Sequence, residues 1–251
     1  SKEQLLQLEE QLNTYLYLTI AEIKSYVFHE FGVEYKKEGM RDLLKRMGFR
    51  YKKTRTVPSK SNTEKQEEWV SKFKEEMTQL TDNEEVYFSD GVHPMHNTRP
   101  QYGWIKIGQD YEIPANSGRQ RVNINGAVNI QNPEQVFTVE ADKISYEANI
   151  ALFQKILEAR PGKRIIIYAD NARYNHSLIL KDWITQQNGR IELRYLPPYS
   201  PNLNPIERLW KFMKKEVINS YYYETYAQFK TAILAFFENI KSYSISLKTL
   251  I

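Results

Sequence analysis

The sequence predicts two folding units: a small all-α helix-turn-helix domain, followed by an α/β domain with a mixed sheet flanked by helices. Three observations predict this. Residues 2–47 show apolar residues at helical spacing around a glycine-containing turn. From about residue 85 onward, short runs rich in β-branched and aromatic residues alternate with helical patterns. Between these regions, from Lys36 to Lys60, ten basic residues stand against two acids; this stretch carries +8 in a chain whose net charge is only +4.

The first helix is expected over 2–13, from the spacing of Leu5, Leu8 and Leu12. Thr19-Ile20-Ala21-Glu22 is a capping-box pattern that opens a second helix, which Gly32 would stop. A third helix is expected over about 37–47, with Met40, Leu43, Leu44 and Met47 apolar and Gly48 after it. Two helices around such a turn, the second one basic, make a helix-turn-helix candidate over 19–48. Lys36, Lys37, Arg41, Lys45 and Arg46 are its candidate contacts to DNA phosphates or base edges. The expected domain is 1–48, followed by a basic linker over 49–62 without periodicity. Arg50, Lys52, Lys53, Arg55 and Lys60 in that linker would lie along DNA.

The α/β domain is expected over 63–251. It opens with a helix at 63–79 that points Trp69, Val70, Phe73 and Met77 toward a core. Strands are expected at Glu85–Ser89, Tyr102–Ile107, Arg121–Ile130 and Gln135–Glu140, then a helix at 145–159. Next come strand Arg164–Ala169, helix 175–188, strand Ile191–Leu196, a proline-rich loop, helix 205–218 and a last helix at 224–241. The unbroken apolar run of 164–169 reads as a buried central strand.

Composition narrows the chemistry. At 41% hydrophobic and 13% aromatic, the 251 residues can build a core. Without cysteine there is no disulfide, thiolate zinc site or cysteine nucleophile. No run of about 18 apolar residues and no signal-peptide pattern occurs, so a cytoplasmic protein without a membrane partner is expected. The chain starts at Ser1 rather than methionine, and an upstream part is expected to be missing.

Three acids are the candidate catalytic residues and metal ligands: Asp90, Asp170 and Glu207. Each has a plain structural explanation. Asp90-Gly91 and Asp170-Asn171 suit turns, and Glu207, three residues after Asn204 with Pro205 between, suits a capping box. Together they suggest more. Asp90 and Asp170 both end predicted strands, where α/β sheets build sites, and 37 positions separate Asp170 from Glu207, enough to return to the same edge. Three carboxylates suit hard divalent cations and phosphate chemistry. His93, Arg173 and Lys211 stand beside them as candidate DNA contacts. His93-x-x-His96 also permits a zinc reading, but no soft ligands accompany it and Pro94 intervenes. Tyr221-Tyr222-Tyr223 would stack on DNA or pack against a partner chain, packing being the commoner fate of aromatics beside a helix.

Several stretches carry a specific resemblance: Phe88-Ser89-Asp90-Gly91-Val92-His93-Pro94, Tyr102-Gly103-Trp104, Tyr168-Ala169-Asp170-Asn171-Ala172, and the long run from Leu196-Pro197-Pro198-Tyr199-Ser200-Pro201 through Asn204-Pro205-Ile206-Glu207-Arg208-Leu209-Trp210. Over roughly 15–240, the chain resembles DDE transposases of the mariner-like superfamily, in its bacterial insertion-sequence branch. The last acid is Glu, as in that branch, rather than the Asp of mariner proper. The resemblance implies an RNase H-like catalytic fold with Asp90, Asp170 and Glu207 holding two Mg²⁺ or Mn²⁺ ions. It also implies cleavage of transposon ends in double-stranded DNA, joining of the freed 3′-hydroxyl to target DNA at TA, a homodimer in the DNA complex, and a prokaryotic, nucleoid-associated setting. Such families usually carry two helix-turn-helix units where this chain shows one, so recognition of the transposon ends is expected to be incomplete here.

Three alternatives stand beside this one. A domesticated endonuclease would cut without joining. A non-catalytic DNA-binding regulator would have a broken triad, and this triad is intact. An enzyme acting on RNA–DNA hybrids would have little use for a helix-turn-helix suited to the major groove of B-DNA.

Overall fold

The computed structural model describes residues 1–54 and 62–251. The chain forms two compact units, Ser1–Val57 and Pro58–Ile251. Arg55 and Lys60, two of the expected DNA contacts, lie outside the described residues.

The first unit packs three helices: α1 (Lys2–Thr14), α2 (Ile20–Phe31) and α3 (Lys37–Arg46). The Thr19/Glu22 capping box forms at the start of α2. Gly32 ends that helix at φ 67°, in the left-handed region that glycine enters without a steric penalty. Leu8, Ile23, Val27, Met40 and Leu43 make the core, each donated by the apolar stripe of its helix.

The second unit opens with α4 (Thr63–Gln79) and is built on five strands: β1 (Glu84–Val92), β2 (Ile124–Asn129), β3 (Val136–Glu140), β4 (Arg164–Ala169) and β5 (Ile191–Tyr195). Their order is β3-β2-β1-β4-β5. β1 pairs antiparallel with β2 and parallel with β4; β2–β3 is antiparallel and β4–β5 parallel. This is the mixed sheet that the sequence predicts.

Strand periodicity divides the core between the two faces. Val86 and Phe88 of β1 and Ile166 and Tyr168 of β4 join one cluster with residues of α7 (Ile206–Met213) and α8 (Tyr226–Glu238), with Trp69 and Phe73 of α4 packed against it. Tyr87, Ile165 and Ile167 face the opposite way, onto α5 (Tyr146–Ala159) and α6 (Leu178–Thr185).

Four expectations are corrected. Tyr102–Ile107 is not a strand. Its composition suits a sheet, yet among the described residues no strand pairs with it, and Tyr102, Trp104 and Ile107 are fully exposed. The helix expected at 175–188 is a 3₁₀ turn (Arg173–His176) followed by the shorter α6. The helix expected at 205–218 is α7 followed by a π-helical turn over Lys214–Ile218. The last expected helix ends at Glu238, and a further helix, α9 (Ser244–Leu250), closes the chain. Among the described residues no helix is long and apolar enough to cross a membrane.

One buried ion pair braces the sheet. Glu85 is 7% exposed and accepts from Nε of Arg160 at 3.0 and 2.8 Å and from the Tyr87 hydroxyl at 2.8 Å. Burial pushes the Glu85 acid up, but the Arg160 and Tyr87 hydrogen bonds outweigh it and hold the group below the usual carboxylate range. A lowered native pKa means that the contribution is complete above the unfolded value of about 4.3 and is lost as pH falls through the native value. Glu85→Gln is therefore expected to cost about 1–2 kcal/mol near pH 7, because the partly exposed guanidinium loses its charge partner but keeps access to water. Thermal unfolding followed from pH 7 down to pH 2 checks this: the gap between wild type and variant narrows as the acid protonates.

Candidate active site

The two aspartates are brought together by strand register. Phe88 pairs with Tyr168 in the parallel β1–β4 ladder. Two residues further on, Asp90 stands within β1 and Asp170 just past the end of β4. Asp90 is not in a turn: β1 continues to Val92, with Asp90 paired to Gly126 and Gly91 to Asn125 of β2. Asp90 shares the side of the sheet taken by Val86 and Phe88, the side on which α7 packs.

Glu207 sits in the first turn of α7. The capping box expected there does not form, since the Asn204 N–H goes to the Pro201 carbonyl instead. Asn204, itself buried, has another task. Its side-chain amide donates to the Ser89 carbonyl at 3.2 Å, and its Oδ1 accepts from the Ile206 N–H at 3.4 Å. The start of the helix that carries Glu207 is thus tied, two residues upstream, to the residue just before Asp90.

α7 is anchored by Ile206, Leu209, Trp210 and Met213. The Trp210 ring lies over Gly126, where an added Cβ would come within 2.6 Å of Cη2. Glycine therefore permits the close approach, on the residue that pairs with Asp90. The buried Trp210 indole N–H falls short of a hydrogen bond. It nevertheless lies close enough to Asp90 to favour the charged carboxylate.

All three acids line one cleft of about 450 Å³, closed on one side by Leu196-Pro197-Pro198-Tyr199-Ser200-Pro201. Tyr199 in that loop takes a left-handed φ of 57°, uncommon for a bulky residue and of a kind that clusters at functional sites. The Asn171 amide donates to the Leu196 carbonyl and fastens the loop to the end of β4.

Burial first, and then the charge of Glu207, raise Asp90 to about 7; Asp170 adds to the rise, while the Gly91 N–H and Trp210 oppose it. Glu207 and Asp170 both act on Asp90 as negative charges, so the cleft concentrates anionic groups and favours a cation. The ordinary hydroxyl pKa of Tyr174 is raised by burial and by the same two aspartates. The donor set consists of hard carboxylate oxygens and fits Mg²⁺ or Mn²⁺. Among the described residues no three His, Asp or Glu side chains form a ready group able to hold a metal ion; the acids share the cleft without closing on one point.

The other expected residues are placed differently. His93, Arg173 and Lys211 are exposed and do not line the cleft, and His93 Nδ1 pairs with Asn123 Oδ1 at 2.8 Å. His96 is buried, with Nε2 at 2.8 Å from the Tyr223 carbonyl and 2.9 Å from Asn116 Nδ2. That makes it a structural tie rather than a zinc ligand. Tyr223 packs against the core, while Tyr221 and Tyr222 stay exposed. In the first unit, Lys37, Arg41, Lys45, Arg50, Lys52 and Lys53 line one groove of about 1310 Å³, joined by Lys24, which the sequence did not single out. Lys36 and Arg46 are exposed outside it.

A family model described as DDE superfamily endonuclease matches residues 85–230, and one described as winged helix-turn helix matches residues 14–73. Among curated proteins, the insertion element IS630 uncharacterized 39 kDa protein of Shigella sonnei is 22% identical over 159 residues, covering 63% of this chain and 46% of that protein. The chain thus spans about half the length of that relative. Among solved structures, the Mos1 strand transfer complex superposes with a TM-score of 0.70 at 16% identity, covering 98% of this chain and 74% of that chain. The Mos1 mariner paired end complex with Mn gives 0.66 at 17% identity, covering 98% and 75%. At such identities the likeness shows the fold, and it agrees with the RNase H-like architecture that the sequence resemblance implies.

Proposed function

We propose a function from the family: the chain belongs to the DDE superfamily endonuclease family, and it acts as a DNA transposase that cuts transposon ends and joins the freed 3′-hydroxyl to target DNA. The observation that carries this reading is the convergence of Asp90, Asp170 and Glu207 on one cleft from two parallel strands and a helix tied to them. The Mos1 structures, one named as a strand transfer complex and one as holding Mn, support the same reading.

Asp90, Asp170 and Glu207 would hold two divalent ions. When bound, such ions supply Lewis-acid activation of the attacking oxygen and neutralise charge on the leaving oxygen of an in-line displacement. The protein's part is placement. β1 and β4 fix the two aspartates side by side, and Asn204 and Trp210 fix the helix of Glu207 across them. Burial around Asp90 lowers the local dielectric and strengthens whatever cation the acids bind. The basic groove of the first unit would hold duplex DNA through its phosphates, with log K falling by about 0.9 per contact for each decade of salt. A homodimer in the DNA complex, TA as target and a nucleoid setting complete the proposal.

The family's description as endonuclease favours a second reading, in which cutting is not followed by joining. A duplex with a pre-cleaved 3′ end, mixed with target DNA and Mg²⁺, separates the two. Joined product supports the transposase. Cleavage of intact ends with no joining from pre-cleaved ones would leave the endonuclease.

A further inference from the structure

Behind the cleft, on the side of the sheet away from α7, three buried asparagines run in series to Asp170. Asn125 of β2, Asn149 of α5 and Asn175 of the 3₁₀ turn are each 2–3% exposed. Asn125 Nδ2 donates to Asn149 Oδ1 at 2.7 Å, and Asn149 Nδ2 donates to Asn175 Oδ1 at 2.6 Å. Asn175 Nδ2 then donates to Asp170 Oδ1 at 2.8 Å and to the Asp170 carbonyl at 3.0 Å. The far end is also placed: Asn125 pairs with Gly91, the neighbour of Asp90.

The direction of this chain follows from its end. An ionised carboxylate only accepts, so Asn175 must turn its NH₂ to Asp170 and its oxygen to Asn149. Asn149 must in turn present NH₂ forward and oxygen back to Asn125. One acceptor therefore sets all three amides, and in a low-dielectric interior each bond polarises the next. The Ala172 N–H also donates to Asp170 Oδ1, at 3.0 Å. Both donors thus go to the same oxygen.

We propose that Asn125, Asn149 and Asn175 form a positioning relay that ties Asp170 Oδ1 to the protein and presents Oδ2 to the ion in the cleft. This rests on the reading of the acids as metal ligands. Packing alone gives no reason for three interior amides, since apolar residues of the same shape would fill the space without needing partners. A relay of hydrogen bonds that orients a ligand is the usual outer support of a metal site, and its loss typically weakens metal binding by about 10–100-fold.

The test uses the full chain and Mn²⁺, with free Mn²⁺ followed by electron paramagnetic resonance and folding by thermal unfolding. Asn149→Leu is compared with Leu152→Ala, which removes fully buried packing from the same helix without touching the relay. The expected result is Mn²⁺ affinity about 10-fold or more weaker in Asn149→Leu. Leu152→Ala lowers the Tm and stays within about twofold of wild-type affinity. In cleavage, Asn149→Leu lowers kcat and leaves the KM for DNA unchanged. If Asn149→Leu does not fold, Asn149→Ser carries the same comparison, because its short hydroxyl cannot span both amides. Equal affinity in wild type and the Asn149 variants overturns the relay, as does an equal loss in Leu152→Ala. Absence of Mn²⁺ binding in the wild type overturns the metal reading itself, and the relay's role with it.

Discussion

Alanine at Asp90, Asp170 or Glu207 is expected to lower cleavage of a transposon-end duplex by about 10³-fold or more, with DNA affinity within about twofold of wild type. The size follows from what each carboxylate does in the proposed site. Metal-borne stabilisation of the transition state is worth several kcal/mol, and each 1.36 kcal/mol is tenfold in rate. The separation of binding from cutting follows from the fold, since the basic groove lies in the first unit and the acids in the second. Stability is expected to hold at Glu207, which is half-exposed and contributes little packing. Asp170→Ala is expected to cost about 1–3 kcal/mol, because it removes the side-chain acceptor of the buried Asn175 amide and of the Ala172 N–H. Asp90 is raised to about 7 by burial and by its acidic neighbours, so its removal relieves repulsion rather than creating it. Cleavage by denaturing gel assay alongside filter binding and thermal unfolding reads all three quantities. Cutting within tenfold of wild type in any one variant would remove that acid from the chemistry.

The second large effect is structural. Trp210→Ala is expected to destabilise the protein by about 3–5 kcal/mol, the range for truncating a large buried aromatic. For a unit of this size that is a Tm lower by roughly 10 °C. Trp210 is 1% exposed, sits in the larger core cluster and meets Phe237 edge-on at 6.0 Å between ring centres. It also stands one turn after Glu207 and presses on Gly126, the partner of Asp90. The variant should therefore lose cleavage beyond what unfolding explains at temperatures where it remains folded. Denaturant unfolding gives the stability term, and a loss below about 1 kcal/mol would show that α7 does not depend on this anchor.

Much of this arrangement is legible in the sequence. The Thr19/Glu22 capping box, the glycine stop at Gly32 and the apolar run of β4 are local signals, and local signals decide local structure. Strand ends predicted at Asp90 and Asp170 suggest that the two acids meet if the strands are adjacent, although β1 itself runs on to Val92. The register that makes them neighbours is a tertiary fact, visible only in the β1–β4 pairing. Tyr102–Ile107 misled because β-branched and aromatic composition reports fitness for a half-buried sheet, not the presence of a partner strand. α9 was missed because Ser244–Leu250 is too short to show a clear period. The asparagine relay had no signal at all. Its members lie 24 and 26 positions apart on three kinds of element, and each reads alone as an ordinary polar residue. The placement of the Trp210 N–H beside Asp90 has no sequence signal either, since in sequence an apolar helix position shows only that it is apolar.

The central claim is that this cleft performs metal-dependent phosphodiester chemistry on DNA. The direct measurement is nicking and joining of a labelled terminal-repeat duplex by the wild-type chain, with Mg²⁺ and again with EDTA. The account predicts strand cleavage and joined product with Mg²⁺ and neither with EDTA. Cleavage that persists undiminished in EDTA would contradict it, and so would tight binding of the duplex with no cleavage under Mg²⁺ or Mn²⁺.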